Sequence, residues 1–284
     1  MAEKKSQEEI EKLMVQFREW INSQPHLPKD LEDRLLMRFL HSCYYDLEKA
    51  KSAAELFFSI RAASPDLLKD RDPSSPQMQK ALKIVNLAQL RVAGKRNLWI
   101  WQLNDPGLEN FDYLQDARLF FLTTDAWLLN EEVLEEEDIV IMDVKDVTLK
   151  ILAKFNLSIA RTLSKYQQDA IPIRLKQVHV INAPSFIDKI FGLVKPFLKQ
   201  GMTDMIHFHS PKSETLYKYL NKEDLPEDYG GSNGKMEDHM KEVMEVIMSK
   251  REFLTENLWK AEKKSKNKAS KEAKETSFRS LDID

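Results

Sequence analysis

Four short runs constrain the fold most: NLWIWQL (Asn97 to Leu103), DIVIMDV (Asp138 to Val144), QVHVI (Gln177 to Ile181) and MIHFH (Met205 to His209). Each is rich in branched or aromatic residues and too short for a core helix, so each reads as a strand. The stretches between them, about Asp112 to Glu136, Asn156 to Ala170 and Pro184 to Lys199, carry helical patterning. Strands alternating with helices need crossover connections, and crossovers place the strands parallel in one sheet. The expected class is therefore α/β with a largely parallel sheet.

The chain ahead of these runs is helical in pattern. Ser6 and Glu9 form a capping box, and Ile10, Leu13, Met14, Phe17, Trp20 and Ile21 then recur on one face. After Pro25 and Pro28, Asp30 is positioned to cap a second helix through Leu31, Leu35, Leu36, Phe39 and Leu40. Asp46 is positioned to cap a third, through Leu56, Phe57 and Ile60 to Ser64-Pro65. The break DRDPSSP (Asp70 to Pro76) marks a boundary, and Ser75-Pro76 a new helix start. The organisation expected is a helical module over 1–75, a central domain over 76–245, and a C-terminal helix with a Lys-rich tail over 246–284. From Lys260 onward large apolar residues almost vanish, so disorder is expected there, with a local charge of +3 against about −6 for the rest of the chain.

Composition bounds the function. A formal charge of −3 argues against a nucleic-acid footprint for the chain as a whole. A single cysteine, Cys43, excludes an internal disulfide and fits a reducing, cytoplasmic setting. No stretch has the roughly 18 apolar residues of a membrane span, so the expected membrane contact is peripheral and transient. The motifs GxSxG, HExxH, GxGxxG and GxxxxGK[ST] are missing, so no enzyme activity, catalytic residue or cofactor is expected. His207 and His209 share one face of a strand, but two histidines are too few for a metal site, and a structural role is expected. Cys43 reads as structural for the same lack of a partnering base. The acidic run from Glu131 to Asp138 lacks the spacing and glycine of a calcium loop and reads as a solvated helix end. What stands out is apolar. Phe120, Phe121, Trp127, Leu128 and Leu129 crowd one helix. PSFIDKIFGLVKPFL forms a second, amphipathic one, in which Gly192 and Pro196 ease bending.

Several of these segments together carry a resemblance. RFLHSCYYDLEKAKSAAELFFSIR, then QVHVINAPSFIDKIFGLVKPFLKQ, MIHFHS and LPEDYGG occur in the order and spacing of the CRAL-TRIO lipid-binding family, over about residues 30 to 245. The chain resembles in particular the tocopherol- and retinaldehyde-carrying members. The resemblance implies a helical N-terminal module followed by a domain whose mixed, largely parallel sheet floors a lipid pocket closed by a mobile gate helix. LPEDYGG would be architectural, with Gly230 and Gly231 allowing a turn other residues resist.

The function implied is an intracellular carrier that binds one small hydrophobic lipid (tocopherol-, retinoid- or carotenoid-like) and exchanges it at membranes. The alternative is a phospholipid- or phosphoinositide-binding sensor or adaptor. The expected partners are the lipid and an anionic membrane surface, with the chain a monomer. By the resemblance, the pocket is lined by Phe120 and Thr124, one helical turn apart, and by Trp127, Leu128, Phe155 and Ile159. The gate contributes Phe186, Ile187, Ile190, Phe191 and Val194. Thr124 either holds a ligand hydroxyl or bonds its own helix carbonyl. Phe120 stands where the tocopherol-type relative carries a small polar residue, which implies a changed pocket. Arg174 and Lys176 match two basic positions of that relative's phosphoinositide cleft. His41, Gly201 and Met205 stand at three others and are not basic, so a weakened head-group site is implied. Arg174 and Lys176 would point the same way in an extended segment; the other reading is that they merely solvate a strand edge.

Overall fold

A computed structural model describes residues 5–130, 133–256 and 259–262. The tail beyond residue 262 and Glu131 and Glu132 of the acidic run lie outside the described residues. Five helices come first: α1 (Gln7–Ser23), α2 (Asp33–Ser42), α3 (Leu47–Ala63), α4 (Pro65–Leu68) and α5 (Pro76–Leu82). A hairpin follows, β1 (Val85–Val92) and β2 (Arg96–Leu103), then α6 (Tyr113–Asn130), β3 (Glu137–Asp143), α7 (Ile151–Lys154) and α8 (Leu157–Asp169). The chain continues through β4 (Leu175–Ile181), α9 (Ile187–Val194), α10 (Gln200–Thr203) and β5 (Ile206–Phe208), and ends on α11 (Met236–Ser249) and α12 (Arg251–Glu256).

Local chemistry explains most of these boundaries. The Ser6–Glu9 capping box is formed in full, and the Asp46 and Ser75 side chains accept from the amides of Lys49 and Met78. Asp30 does not cap α2. That helix begins at Asp33 after Glu32, because the chain first tucks Leu31 into the core. The helix expected to reach Glu136 is described only to Asn130. The carboxylates of 135–138 would sit at its negative end, where the helix dipole disfavours them.

The sheet runs β1-β2-β3-β4-β5 in space. β2, β3, β4 and β5 are parallel neighbours, while β1 lies antiparallel on β2 and makes the sheet mixed. Sequence reasoning missed β1, because Asn86, Ala88 and Gln89 are poor strand formers that dilute its alternation. The hairpin closes through Ala93, Gly94 and Lys95, with Gly94 at φ 82° and Lys95 at φ 58°.

One face of the sheet packs Leu98, Ile100, Ile139, Ile141 and Ile181 against Leu216, Leu220, Leu225 and Met236. LPEDYGG contributes Leu225 to this layer. Gly230 is left-handed, and a Cβ on Gly231 would lie 1.8 Å from the Leu225 carbonyl oxygen, so only glycine fits. Tyr229 donates to Asp143 at 3.2 Å and accepts from Gln102 at 2.9 Å, which fastens the motif to the carboxyl end of β3.

The N-terminal helices do not form a separate core. Phe17, Phe39, Phe57 and Phe58 belong to one continuous cluster with Phe121, Trp127, Tyr166 and Trp259. A buried ionic triad lies inside it. Asp125 on α6 accepts a forked pair of bonds from Arg61 at 2.9 and 2.7 Å and a third from Arg71 at 2.8 Å. Arg71 also donates to the carbonyls of Leu68 and Leu254, and the Arg61 guanidinium lies over the rings of Phe57 and Trp259. Burial alone would raise the Asp125 carboxyl, but the two guanidiniums outweigh it and hold it below its usual range. The triad thus joins α3, the 70–76 break, α6 and the C-terminal segment.

Candidate functional site

The other face of the sheet is incompletely covered. Alternation along β2 to β5 directs Trp99, Trp101, Val140, Met142, Val178, Val180, Ile206 and Phe208 away from the Leu98–Ile141 layer. Of these, Val178 and Val180 are buried, whereas Met142 and Phe208 are each 37% exposed. On one side stands α6, whose Trp127 ring lies 4.1 Å from that of Trp99. On another side lies α9, which meets the sheet where Phe191 reaches Phe208.

The segment 186–198, which contains α9, is unusual for its composition. Phe186, Ile187, Ile190, Phe191, Leu193, Val194, Phe197 and Leu198 make it one of the most apolar stretches of the chain, yet none of them is buried. Phe191 meets Phe208 at 5.2 Å between ring centres, Ile187 packs on the β4 valines, and Ile190 reaches the main core. The expected Pro184–Lys199 helix is shorter than its pattern. It stops at Val194 and continues as a 3-10 turn over Lys195–Phe197, because Pro196 has no amide to return to Gly192. The far end is tied to α8. The Gln168 side chain donates to the Phe197 carbonyl at 3.0 Å and accepts from the Lys199 amide at 2.7 Å. Lys199 also pairs with Asp169, and Arg161 lies over the Phe197 ring. The segment is therefore held by polar bonds at its end and by loose apolar contacts along its length.

The remaining expected pocket residues fall in two groups. Phe120 is half-buried, edge-on to Tyr166, and the Phe155 ring lies tilted against Tyr113, with 5.1 Å between ring centres. Ile159 is half-buried against the main core. Trp127 and Leu128 are buried in that core, and Trp127 also carries the Arg38 guanidinium over its ring. Thr124 is buried, and its hydroxyl donates to the Phe120 carbonyl at 2.7 Å, which is the helix-bonded arrangement.

Arg174 and Lys176 converge on one ring. Both cations lie over Tyr44, and Lys176 donates to its hydroxyl at 2.7 Å. Arg174 is buried, bonded to the His41 carbonyl at 2.8 Å and paired with Glu136, whereas Lys176 is exposed. Burial, with Arg174 adding to it, lowers His41 to about 4 and keeps its ring neutral. Gly201 is exposed on α10 and Met205 half-buried before β5.

The partners in three groups escaped the sequence reading. His179 joins His209 at 3.0 Å, and the line continues to Gln177 at 3.1 Å and to Thr215 at 2.7 Å. Burial lowers His179 to about 3. No group of three or more metal-binding side chains is found among the described residues. Asp116 lies on α6, and burial raises its carboxyl to about 7. Its neighbour Gln115 has a buried Oε1 without a hydrogen-bond partner. A polar residue inside an apolar helix pattern was the available signal for both. The third is the Arg61–Asp125–Arg71 triad, which depends on long-range packing. Cys43 is half-buried, and burial raises its thiol, consistent with an unreactive side chain.

No helix among the described residues is long and apolar enough to cross a membrane. Residues 94–231 match the CRAL/TRIO domain, and residues 6–78 match a Pinta-like UBA domain. The alpha-tocopherol transfer protein-like protein of Homo sapiens is 27% identical over 215 residues, covering 75% of this chain and 62% of that protein. Clavesin-2 of Rattus norvegicus is 25% identical over 203 residues, covering 70% and 62%. The chain thus spans less than two thirds of the length of these relatives. A crystal structure of Sfh5 aligns over 87% of this chain and 100% of its own, with a TM-score of 0.49 and 12% identity. The match over residues 94–231 places a CRAL/TRIO domain in this chain, and these relatives support the resemblance to the CRAL-TRIO family.

Proposed function

We propose that this protein is a carrier that encloses one small hydrophobic lipid between the sheet and α9 and exchanges it at membranes. One observation supports this reading above the others: of eight apolar residues on the 186–198 segment none is buried, and two of them, Ile187 and Phe191, meet a partly exposed apolar sheet. A closed core would bury them. A lipid lying between the two layers would complete the burial.

The energetics favour a carrier that opens. A lipid burying roughly 400 Å² of apolar surface gains up to about 10 kcal/mol on leaving water, at about 25 cal/mol per Å². A bilayer offers nearly the same gain, so release requires the cover to move rather than the affinity to be low. The 186–198 segment suits that role, because an apolar helix face enters the bilayer interface as readily as it covers a ligand. Relatives named for tocopherol transfer support a tocopherol-, retinoid- or carotenoid-like cargo. Lys176, exposed beside Tyr44, is the group we assign to contact with anionic lipid surfaces, with Arg174 behind it already engaged by Glu136.

The reading is tested by titrating the chain with fluorescent tocopherol, retinoid and phosphatidylinositol analogues. Saturable binding of a small neutral lipid at one site per chain is expected. Saturable binding of the phosphatidylinositol analogue alone would favour a phospholipid sensor. Non-saturable partitioning of all three would remove the carrier function.

A further inference from the structure

Alternation along β4 and β5 sets Gln177, His179 and His207 on the face of the sheet away from Val178, Val180, Ile206 and Phe208. His179 is fully buried, with the His209 Nε2 3.0 Å from its Nδ1 and the Gln177 Oε1 3.1 Å from its Nε2. His209, buried just after β5, meets the Thr215 hydroxyl at 2.7 Å through its own Nδ1. With Gln177 as acceptor, His179 carries its proton on Nε2 and accepts at Nδ1. His209 then donates from Nε2 and accepts from Thr215 at Nδ1. Two neutral imidazoles thus use all four of their nitrogens. His207, opposite His179 in register, stacks on the same ring with 5.2 Å between centres, and Tyr219 lies against both at 5.0 and 4.6 Å. The rings stack rather than converge, and they make no metal site among the described residues.

Neither ring of the bonded pair has a place for another proton. On His179 Nδ1 it would set N–H against N–H, and on His209 it would bury a charge beside another imidazole. The charges that act on His179 are those of His209 and His207, and the charge that acts on His209 is that of His207. The surrounding elements supply no carboxylate against either ring among the described residues. β3 sets Ile141 opposite His179, and Asp143 further along is engaged by Tyr229 and Asn182. The Tyr219 carbonyl accepts from Arg96 of β2, which is paired with Asp224. Glu214 and Lys218, at the ends of the turn that carries Thr215, are exposed. Burial first, and the neighbouring imidazoles after it, lower both histidines, His179 to about 3. The closed arrangement is therefore fully stable above the ordinary value of 6.5 and loses stability as pH falls below it toward the folded value.

β5 is the element that depends on this pair. It is a three-residue edge strand, bracketed by backbone bonds from the Val178 amide to the Met205 carbonyl, from the His209 amide to the Val180 carbonyl and from the Ala183 amide to the His209 carbonyl, each 2.9 Å. On its other face Ile206 shares a cluster with Ile187, and Phe208 meets Phe191, so β5 carries part of the seat of α9. We propose that the His179–His209 pair is an acid-sensitive latch: protons entering it release β5 from β4, and α9 then loses its seat and lets the bound lipid go. The release step rests on the carrier reading above; the opening of β5 does not.

The test is amide hydrogen exchange on the full-length chain at pH 7.5 and 5.5, corrected for intrinsic rates. A histidine that is neutral in place and ordinary when released raises the opening constant about tenfold over that interval. Protection of the His209 and Ala183 amides is therefore expected to fall at least about tenfold, while amides pairing β2 with β3 keep theirs. His209→Gln, which retains a donor toward His179 and gains no proton, should flatten the fall. Nitrogen-15 spectra of the wild-type imidazoles test the latch without a variant: both rings should stay neutral for as long as β5 is protected. Unchanged protection in wild type, the same fall in a folded His209→Gln chain, or a ring of the pair that protonates near pH 6.5 with β5 still protected would each overturn the latch. A chain loaded with a fluorescent tocopherol analogue should release it at least about tenfold faster at pH 5.5. Release that does not change while β5 opens would overturn the link to α9. Failure to load the analogue at either pH would count against the carrier reading, with the exchange data still deciding the latch.

Discussion

A chain carrying Phe191→Asp together with Val194→Asp is expected to fold but to lose most liposome-to-liposome lipid transfer, by at least about tenfold. The two positions lie three residues apart on α9 and share one face. Phe191 is half-buried against Phe208, so one carboxylate would stand at the contact between α9 and the sheet. The cost of placing two unpaired charges in that contact or in a bilayer interface, several kcal/mol by transfer scales, far exceeds the 1.4 kcal/mol that makes a factor of ten. The fold should survive, because no residue of α9 is buried in a core cluster. Circular dichroism verifies the fold, and transfer between labelled donor and acceptor vesicles measures the effect. Wild-type transfer by the folded double variant would show that this segment is not the gate.

The largest effect on stability is expected at Asp125. Replacing it with Ala leaves Arg61 and Arg71 buried without a counter-charge, their side chains 2% and 1% exposed. Breaking a buried ion pair from one side costs about 3–5 kcal/mol. In a protein of this size that lowers the melting midpoint by on the order of 10 °C. Asp125→Asn should cost less, since it keeps part of the hydrogen bonding. The same residue sets an acid limit. Its carboxyl lies below the usual value of 3.8, so its contribution is present above that pH and lost as pH falls through the lower, folded value. Thermal melts of wild type and both variants at neutral pH check the ranking. A melting midpoint for Asp125→Ala within about 2 °C of wild type, less than about 1 kcal/mol on that scale, would contradict the role given to the triad.

The four parallel strands and the main helices were legible because their signals are local. Branched and aromatic residues are dense in NLWIWQL and DIVIMDV, and Ser6, Asp46 and Ser75 announce helix starts that the structure uses. β1 was not legible, since Asn86, Ala88 and Gln89 hide a strand that its partner β2 holds in place. The start of α2 was missed for a similar reason: burial of Leu31 decided it, not the capping preference of Asp30. The site was legible in outline. PSFIDKIFGLVKPFL announced an amphipathic segment with a weak point at Pro196, but its lack of buried residues appears only in three dimensions. The bonds of Asp125 and His179 depend on partners far away in sequence, which no spacing rule predicts. Arg174 shows the limit from the other side. It reads as a free surface cation until Glu136 and the His41 carbonyl are seen around it.

The central claim is that a single lipid occupies the space between the sheet and α9. Native mass spectrometry of the purified full-length chain, followed by extraction and identification of any bound molecule, tests it most directly. The account predicts one adduct per chain, of a mass matching one small lipid, that disappears when the protein is unfolded and extracted and is absent in the Phe191→Asp, Val194→Asp variant. A wild-type chain that carries no lipid and takes up none when incubated with vesicles would contradict it.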